Sequence, residues 1–202
     1  MTLHNPSMEK SPDAPIELVA YQSGWPALFS AEATTLSAVL SPWLVGPIEH
    51  IGSTAVPGLL AKPIIDMMAP VKSLSESRGA IEAAASAGWV YYPYKADVMH
   101  WFCKPSPAHR THHLHIVPFH SPLWRDRLAF RDALRSQTDT AEAYAHLKRR
   151  LAEKYSQDRE AYTEAKTSFV AQVIDAWNQG AGAAEPCAQA SPALGSASHT
   201  TG

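Results

Sequence analysis

Cysteine is scarce in this 202-residue chain: only Cys103 and Cys187 occur, and they form no CxxC pair. That excludes a disulfide framework. No apolar run is long enough to read as a bilayer span. The start, MTLHNPSMEKSPDAPIELV, lacks the apolar core of a secretory signal, so a reducing cytoplasm is the expected compartment. Net charge is nearly absent too, at −2 with histidine neutral. No general pull toward nucleic acid or anionic membrane follows, and any phosphate contact must come from local residues. There is no internal repeat.

What is present suits one folded body with tails. Residues 1–14 are rich in Pro, Ser and charge, and 180–202 are rich in Ala, Gly, Ser and Pro. Neither stretch holds enough large apolar side chains to offset ordering entropy, so both are expected to be disordered around one domain at 15–179. Within it, GWPALFSAEATTLSAVLSPW has helical apolar spacing with Pro26 in the first turn. Residues 45–51 read as a strand, 54–60 as a short helical turn, and PIIDMMAPV as a buried strand. SLSESRGAIEAAASAG opens on a Ser73/Glu76 capping box and closes on Gly88, which predicts a helix. WVYYPY, VMHWFCK and THHLHIVPF predict strands, the last two joined by the turn PSPAHR. Helices are expected from Leu123, over 139–154 with an Asp139/Glu142 capping box, and over 157–178 with a stripe of Tyr162, Ala165, Phe169, Val173 and Trp177. This order predicts an α+β (or mixed α/β) fold with a mixed sheet and a C-terminal helical block.

Chemistry concentrates in two places. IEHIGSTAVPGLLAKPIID runs from a strand into Gly52-Ser53 and returns to a strand carrying Asp66, 13 residues after Ser53. Glycine there permits close backbone approach to a ligand, and Ser53 and Thr54 at the start of the turn can meet a phosphate. Lys62 can add a phosphate contact, and a carboxylate on the next strand can hold a metal ion. Asp66 lies among Ile64, Ile65, Met67 and Met68, where an unpaired carboxylate is costly. The plainer reading of Gly-Ser is a capped turn. The second place is RTHHLHIVP. Strand alternation puts His113 and His115 on one face, suited to metal or phosphate, with His112 on the other. Arg110 at the entrance can clamp an anion. The arginines of RDRLAFRDALR read as a solvated helix face.

Taken together, EHIGSTAVPGLLAKPIIDM, RTHHLHIVP, LAFRDALR, YAHLKRRLAEKY and DREAYTEAKTSFV resemble the GrpB family over about Ile16–Trp177. That family is similar to the nucleotidyltransferase superfamily, so the resemblance implies a nucleotidyltransferase-like mixed sheet with flanking helices. It also implies a nucleotide substrate or ligand and a divalent metal such as Mg²⁺, Mn²⁺ or Zn²⁺. Gly52, Ser53 and Asp66 match the superfamily pattern. Met68 stands where a second carboxylate is expected, and His113 and His115 replace a third acid on the later strand.

Family members also occur fused to dephospho-CoA kinase, which implies a candidate protein partner. No GxxxxGK[ST] phosphate loop occurs in this chain, so kinase activity is not expected. Three readings follow. The first is a metal-dependent nucleotidyltransferase-like enzyme using Asp66, His113 and His115 for metal and catalysis. The second is a catalytically silent nucleotide- or phosphate-binding module that assists a partner. The third is a purely structural domain.

Overall fold

The computed structural model describes residues 15–180. Both expected tails, 1–14 and 181–202, lie outside the described residues. Gly180, assigned above to the tail, is the last residue of a helix.

The elements run α1 Trp25–Leu40, β1 Glu49–Ile51, a 3-10 turn Ser53–Ala55, β2 Ile65–Val71, α2 Gly79–Ser86, β3 Val90–Tyr92, β4 His100–Pro105, β5 Arg110–Pro118, α3 Pro122–Ser136, α4 Thr138–Lys154, α5 Arg159–Glu164 and α6 Thr167–Gly180. The strands form one five-stranded sheet in the order β1-β2-β5-β4-β3. Only the central β2–β5 pair is parallel. The α+β architecture with a mixed sheet is the one the element order predicts.

Helices cover both faces of the sheet, which explains why β2 reads as an almost unbroken apolar run. On one face, Ile65, Met67, Leu114, Ile116 and Phe102 pack with Leu36 and Leu40 of α1 and Ala80 and Ala84 of α2. On the other, Ile51, Met68, Cys103 and Val117 pack with Trp124 and Leu128 of α3. A third cluster joins Val56 and Leu59, after the 3-10 turn, to Leu134 of α3, Tyr144 and Ala145 of α4 and Phe169 of α6. The helical block is thereby fastened to the Gly52-Ser53 segment. Ser121 starts α3 by accepting from the Trp124 N–H at 3.3 Å, with Pro122 next. No helix among the described residues is long and apolar enough to cross a membrane.

Four local expectations are corrected. The strand expected over 45–51 shrinks to Glu49–Ile51, because Pro47 has no N–H to give a ladder. The Ser73/Glu76 box forms, with the Glu76 N–H donating to Ser73 Oγ at 3.2 Å, but it closes a turn and the helix starts at Gly79. Asp139 caps nothing; it lies inside the first turn of α4, whose flanking residue is Gln137. The helix expected over 157–178 breaks at Ala165–Lys166 into α5 and α6. Its stripe is fully buried only at Tyr162.

Candidate functional site: a carboxylate and two imidazoles beside the Gly52 turn

Strand register builds the site. Asp66 on β2 is the direct partner of His113 on β5, and Met68 is the partner of His115. Partners across a ladder share a face, so Asp66, His113 and His115 all project from the face carrying α3. Their ligand-type atoms lie within 4.8 Å of one another. His113 Nδ1 is 2.9 Å from Asp66 Oδ1, which makes Nδ1–H the donor. His113 Nε2 is buried with no hydrogen-bond partner. His115 Nε2 lies 3.9 Å from the same oxygen, too far for a hydrogen bond. Its other nitrogen, Nδ1, is 3.4 Å from Met99 Sδ, a weak acceptor. A thioether only accepts, so a hydrogen bond there places the proton on Nδ1 and the Nε2 lone pair on the Asp66 side. Two acceptors so placed have room for a cation between them.

Electrostatics keep Asp66 and His115 in ligand form. Burial alone would raise the Asp66 carboxyl, but the His113 hydrogen bond and the two imidazoles outweigh it and hold it well below the usual carboxylate range. Burial pushes His115 down to about 4, and the charge of Arg127 works the same way against Asp66. His115 is therefore a neutral imidazole near pH 7.

Gly52 presses its backbone against this cluster. Its φ is +74° with ψ −174°, a region other residues rarely occupy. A Cβ there would lie 2.5 Å from Asp66 Oδ2. The following turn is only three residues long, so it adds no helix dipole of consequence.

Behind the turn lie side chains that sequence reading missed. Lys148 of α4 is 2% exposed; its Nζ donates to Ser53 Oγ at 3.0 Å and to the Leu60 carbonyl. Lys166, at the break between α5 and α6, has its Nζ 4.0 Å from the Tyr162 ring centroid, and Lys62 Nζ is 5.2 Å from the same ring. Burial and neighbouring cations push both Lys148 and Lys166 down to about 7. Exposed Arg127 of α3 adds positive potential at His115, Tyr144 and Lys166. The i, i+4 pair Tyr144/Lys148 on the buried side of α4 was the available signal for Lys148.

The remaining candidates divide. Thr54 is 1% exposed, and its hydroxyl is engaged by the Ile64 carbonyl at 3.3 Å and His50 Nε2 at 3.0 Å, so only its backbone can serve a ligand. Arg110 does not reach the Gly52 turn directly. Its guanidinium sits 5.5 Å from the Trp101 ring, which in turn is 5.0 Å from the His113 ring. His112 lies on the opposite face, edge-on to Trp89. Met68 is fully buried, so the position of the missing second carboxylate is part of an apolar wall. Glu49, the partner of Met68 on β1, carries an acid on that face, but Arg131 holds it at 2.7 Å. Arg131 thus turns inward from the helix face expected to be solvated, while Arg135 stays exposed there and donates to the Ala55 carbonyl at 2.9 Å.

The chain matches the GrpB protein family over residues 15–176. A UPF0157 protein of Pseudomonas aeruginosa is 38% identical over 167 residues, covering 80% of this chain and 67% of that protein. The glutamate-rich protein GrpB of Alkalihalophilus pseudofirmus is 32% identical over 163 residues, covering 78% of this chain and 93% of that protein. The crystal structure of conserved protein GrpB from Enterococcus faecalis superposes with a TM-score of 0.72 at 31% identity, over 80% of this chain and 96% of that one. Since the family match spans nearly all of the described residues and the fold agrees with that relative, this chain belongs to the GrpB protein family.

Proposed function

We propose that this chain binds a nucleotide by its phosphates at the Gly52-Ser53 turn and acts, with one divalent cation, as a nucleotidyltransferase-like enzyme. The observation that supports this most is the convergence of Asp66, His113 and His115 against the Gly52 backbone, with lysines immediately behind.

The residues fit a metal ion. One carboxylate and two imidazoles favour Zn²⁺, Mn²⁺ or Fe²⁺ over Mg²⁺, which prefers oxygen. The 2.9 and 3.9 Å separations bracket the ~3.3 Å expected between ligands of a tetrahedral ion with ~2.05 Å bonds. Asp66, His113 and His115 would hold it. When bound, such an ion supplies Lewis-acid polarisation of a phosphoryl oxygen. The rest belongs to this chain. Gly52 lets the phosphates approach the backbone. Lys148, Lys166 and Lys62 set positive charge where phosphate charge gathers. Asp66 orients His113 through Nδ1–H in the ion-free protein; as a ligand His113 would offer that Nδ1, with its proton on the otherwise unpartnered Nε2.

A second reading is favoured by Met68. Two-metal transfer needs bridging acids, and a buried thioether stands in that place. On this reading the chain is a silent nucleotide- or phosphate-binding module that assists a partner such as a dephospho-CoA kinase. The two separate in one titration. ATP, CTP, GTP and UTP are added with Mg²⁺, Mn²⁺ or Zn²⁺ while heat and pyrophosphate release are followed. Release that vanishes in Asp66→Ala is the expected result. Saturable binding without release gives the module, and no binding to any nucleotide overturns both.

The lysines make a pH prediction. With pKa values lowered to about 7, Lys148 and Lys166 carry charge below pH 7 and lose it above. Sulfate, whose own charge is constant there, is expected to bind at least about ten-fold more tightly at pH 6 than at pH 8.5. Equal affinity at both pH values, measured by calorimetry, would remove the lysines from the anion site.

A further inference from the structure

The face that carries the cluster is only half covered. Helix α3 lies over β1, β2 and part of β5 through Trp124 and Leu128. At the other end of the same face, Tyr92 and Tyr94 are 42% and 48% exposed. Both stand edge-on to Trp101, with ring centroids 6.2 and 6.4 Å away. Arg110 covers Trp101 from one side, its Nε–H fixed on the Pro107 carbonyl at 2.8 Å. No carboxylate pairs with Arg110 among the described residues, so the Nη side of its fork keeps its charge for something else. Lys95 adds a second cation, 5.4 Å from the Tyr94 ring. Exposed tyrosines with an arginine held against a tryptophan are what a planar, anionic ligand requires.

Sheet order gives this shelf its place. Asp66 lies on β2. The Gly52 turn follows β1 on one flank, while β5, β4 and β3 extend on the other. Trp101 is two strands from Asp66, ~10 Å at the usual strand spacing, and it touches His113. Phosphates held at the Gly52 turn therefore occupy the flank opposite the shelf. The shelf is the side from which a second ligand reaches the cluster.

We infer that the exposed Tyr92 and Tyr94 with Arg110, backed by the buried Trp101, form a second-ligand subsite for a planar heteroaromatic ring bearing a single anionic group, of nucleoside monophosphate type. As the place of an acceptor, it rests on the reading proposed above; as a binding site, it does not. Two cations suffice for one phosphate but provide no track for a strand, and the net charge of −2 argues the same way.

The test follows the Trp101 indole N–H by NMR while AMP, adenosine, ribose 5-phosphate or a tetra-adenylate is added. In the native protein and in Asp66→Asn, AMP is expected to shift the Trp101 signal saturably. The double variant Tyr92→Ser/Tyr94→Ser, at exposed positions, is expected to bind about ten-fold more weakly, as is Arg110→Gln. Adenosine should also bind about ten-fold more weakly than AMP. Ribose 5-phosphate should leave Trp101 unmoved. A Trp101 signal that ignores AMP, or variants that respond like the native protein, would overturn the subsite. Loss in Asp66→Asn would assign the binding to the metal and phosphate site instead. A tetranucleotide far tighter than AMP would overturn the mononucleotide assignment. Metal binding that fails while the Trp101 shift persists sinks the proposed function alone.

Discussion

Asp66→Asn is expected to lower the affinity for Zn²⁺ or Mn²⁺ by more than about 100-fold while leaving the protein folded. Removing a group that merely orients a ligand costs 10–100-fold, and Asp66 is itself a ligand in this site. The substitution keeps shape and one hydrogen bond, since the amide oxygen can still accept from His113 Nδ1–H at the 2.9 Å now spanned by Oδ1. What it removes is charge. His115 Nε2, 3.9 Å away, then faces no anion with which to share a cation. Equilibrium titration with a chelating indicator reads the affinity, and urea unfolding reads the fold. Equal metal affinity in the two proteins would take Asp66 out of any metal site.

Gly52→Ala carries the largest expected cost in stability. Two penalties combine. The backbone at φ +74°, ψ −174° is open almost only to glycine, which makes alanine there worth about 1–3 kcal/mol of strain. The new methyl would also meet Asp66 Oδ2 at 2.5 Å, so either the turn or the carboxylate must move. Asp66 cannot retreat freely, because His113 holds it and Ile51 is its partner on β1. A loss of about 3 kcal/mol in urea unfolding is expected, together with loss of metal binding even in molecules that remain folded. A change below about 1 kcal/mol would mean that the turn is slack and that Gly52 is not built against the carboxylate.

The parts of this molecule legible in its sequence were those encoded by local pattern. Strand alternation was enough to separate His113 and His115 from His112. An isolated aspartate in an apolar strand was enough to single out Asp66. That Asp66 and His113 would be direct partners was not legible, because the register of β2 against β5 is set across two intervening strands and a helix. Lys166 was invisible for the same reason, and Lys148 left only its spacing from Tyr144: each is distinguished by what surrounds it, and those neighbours come from residues 53–62, β2 and the helical block. The break before α6 has no glycine or proline to announce it, as Ala165–Lys166 are both good helix formers. Pro47, in contrast, was a readable signal that the strand before Glu49 had to be short. Thr54 looked like a phosphate contact because its hydroxyl follows Ser53, yet burial commits that hydroxyl to Ile64 and His50.

One coupling tests the central claim most directly. If Asp66, His113 and His115 hold a cation beside phosphates lying on Gly52, metal and nucleotide must strengthen each other's binding by the same factor. Calorimetric titration of ATP into the protein, with and without saturating Mn²⁺, measures that factor, provided the affinity of Mn²⁺ for free ATP is subtracted. At least a ten-fold gain with metal in the native protein, absent in Asp66→Asn, is the expected result. Identical ATP affinity with and without metal would contradict it, and would leave the cluster and the turn as two unrelated features of the sheet.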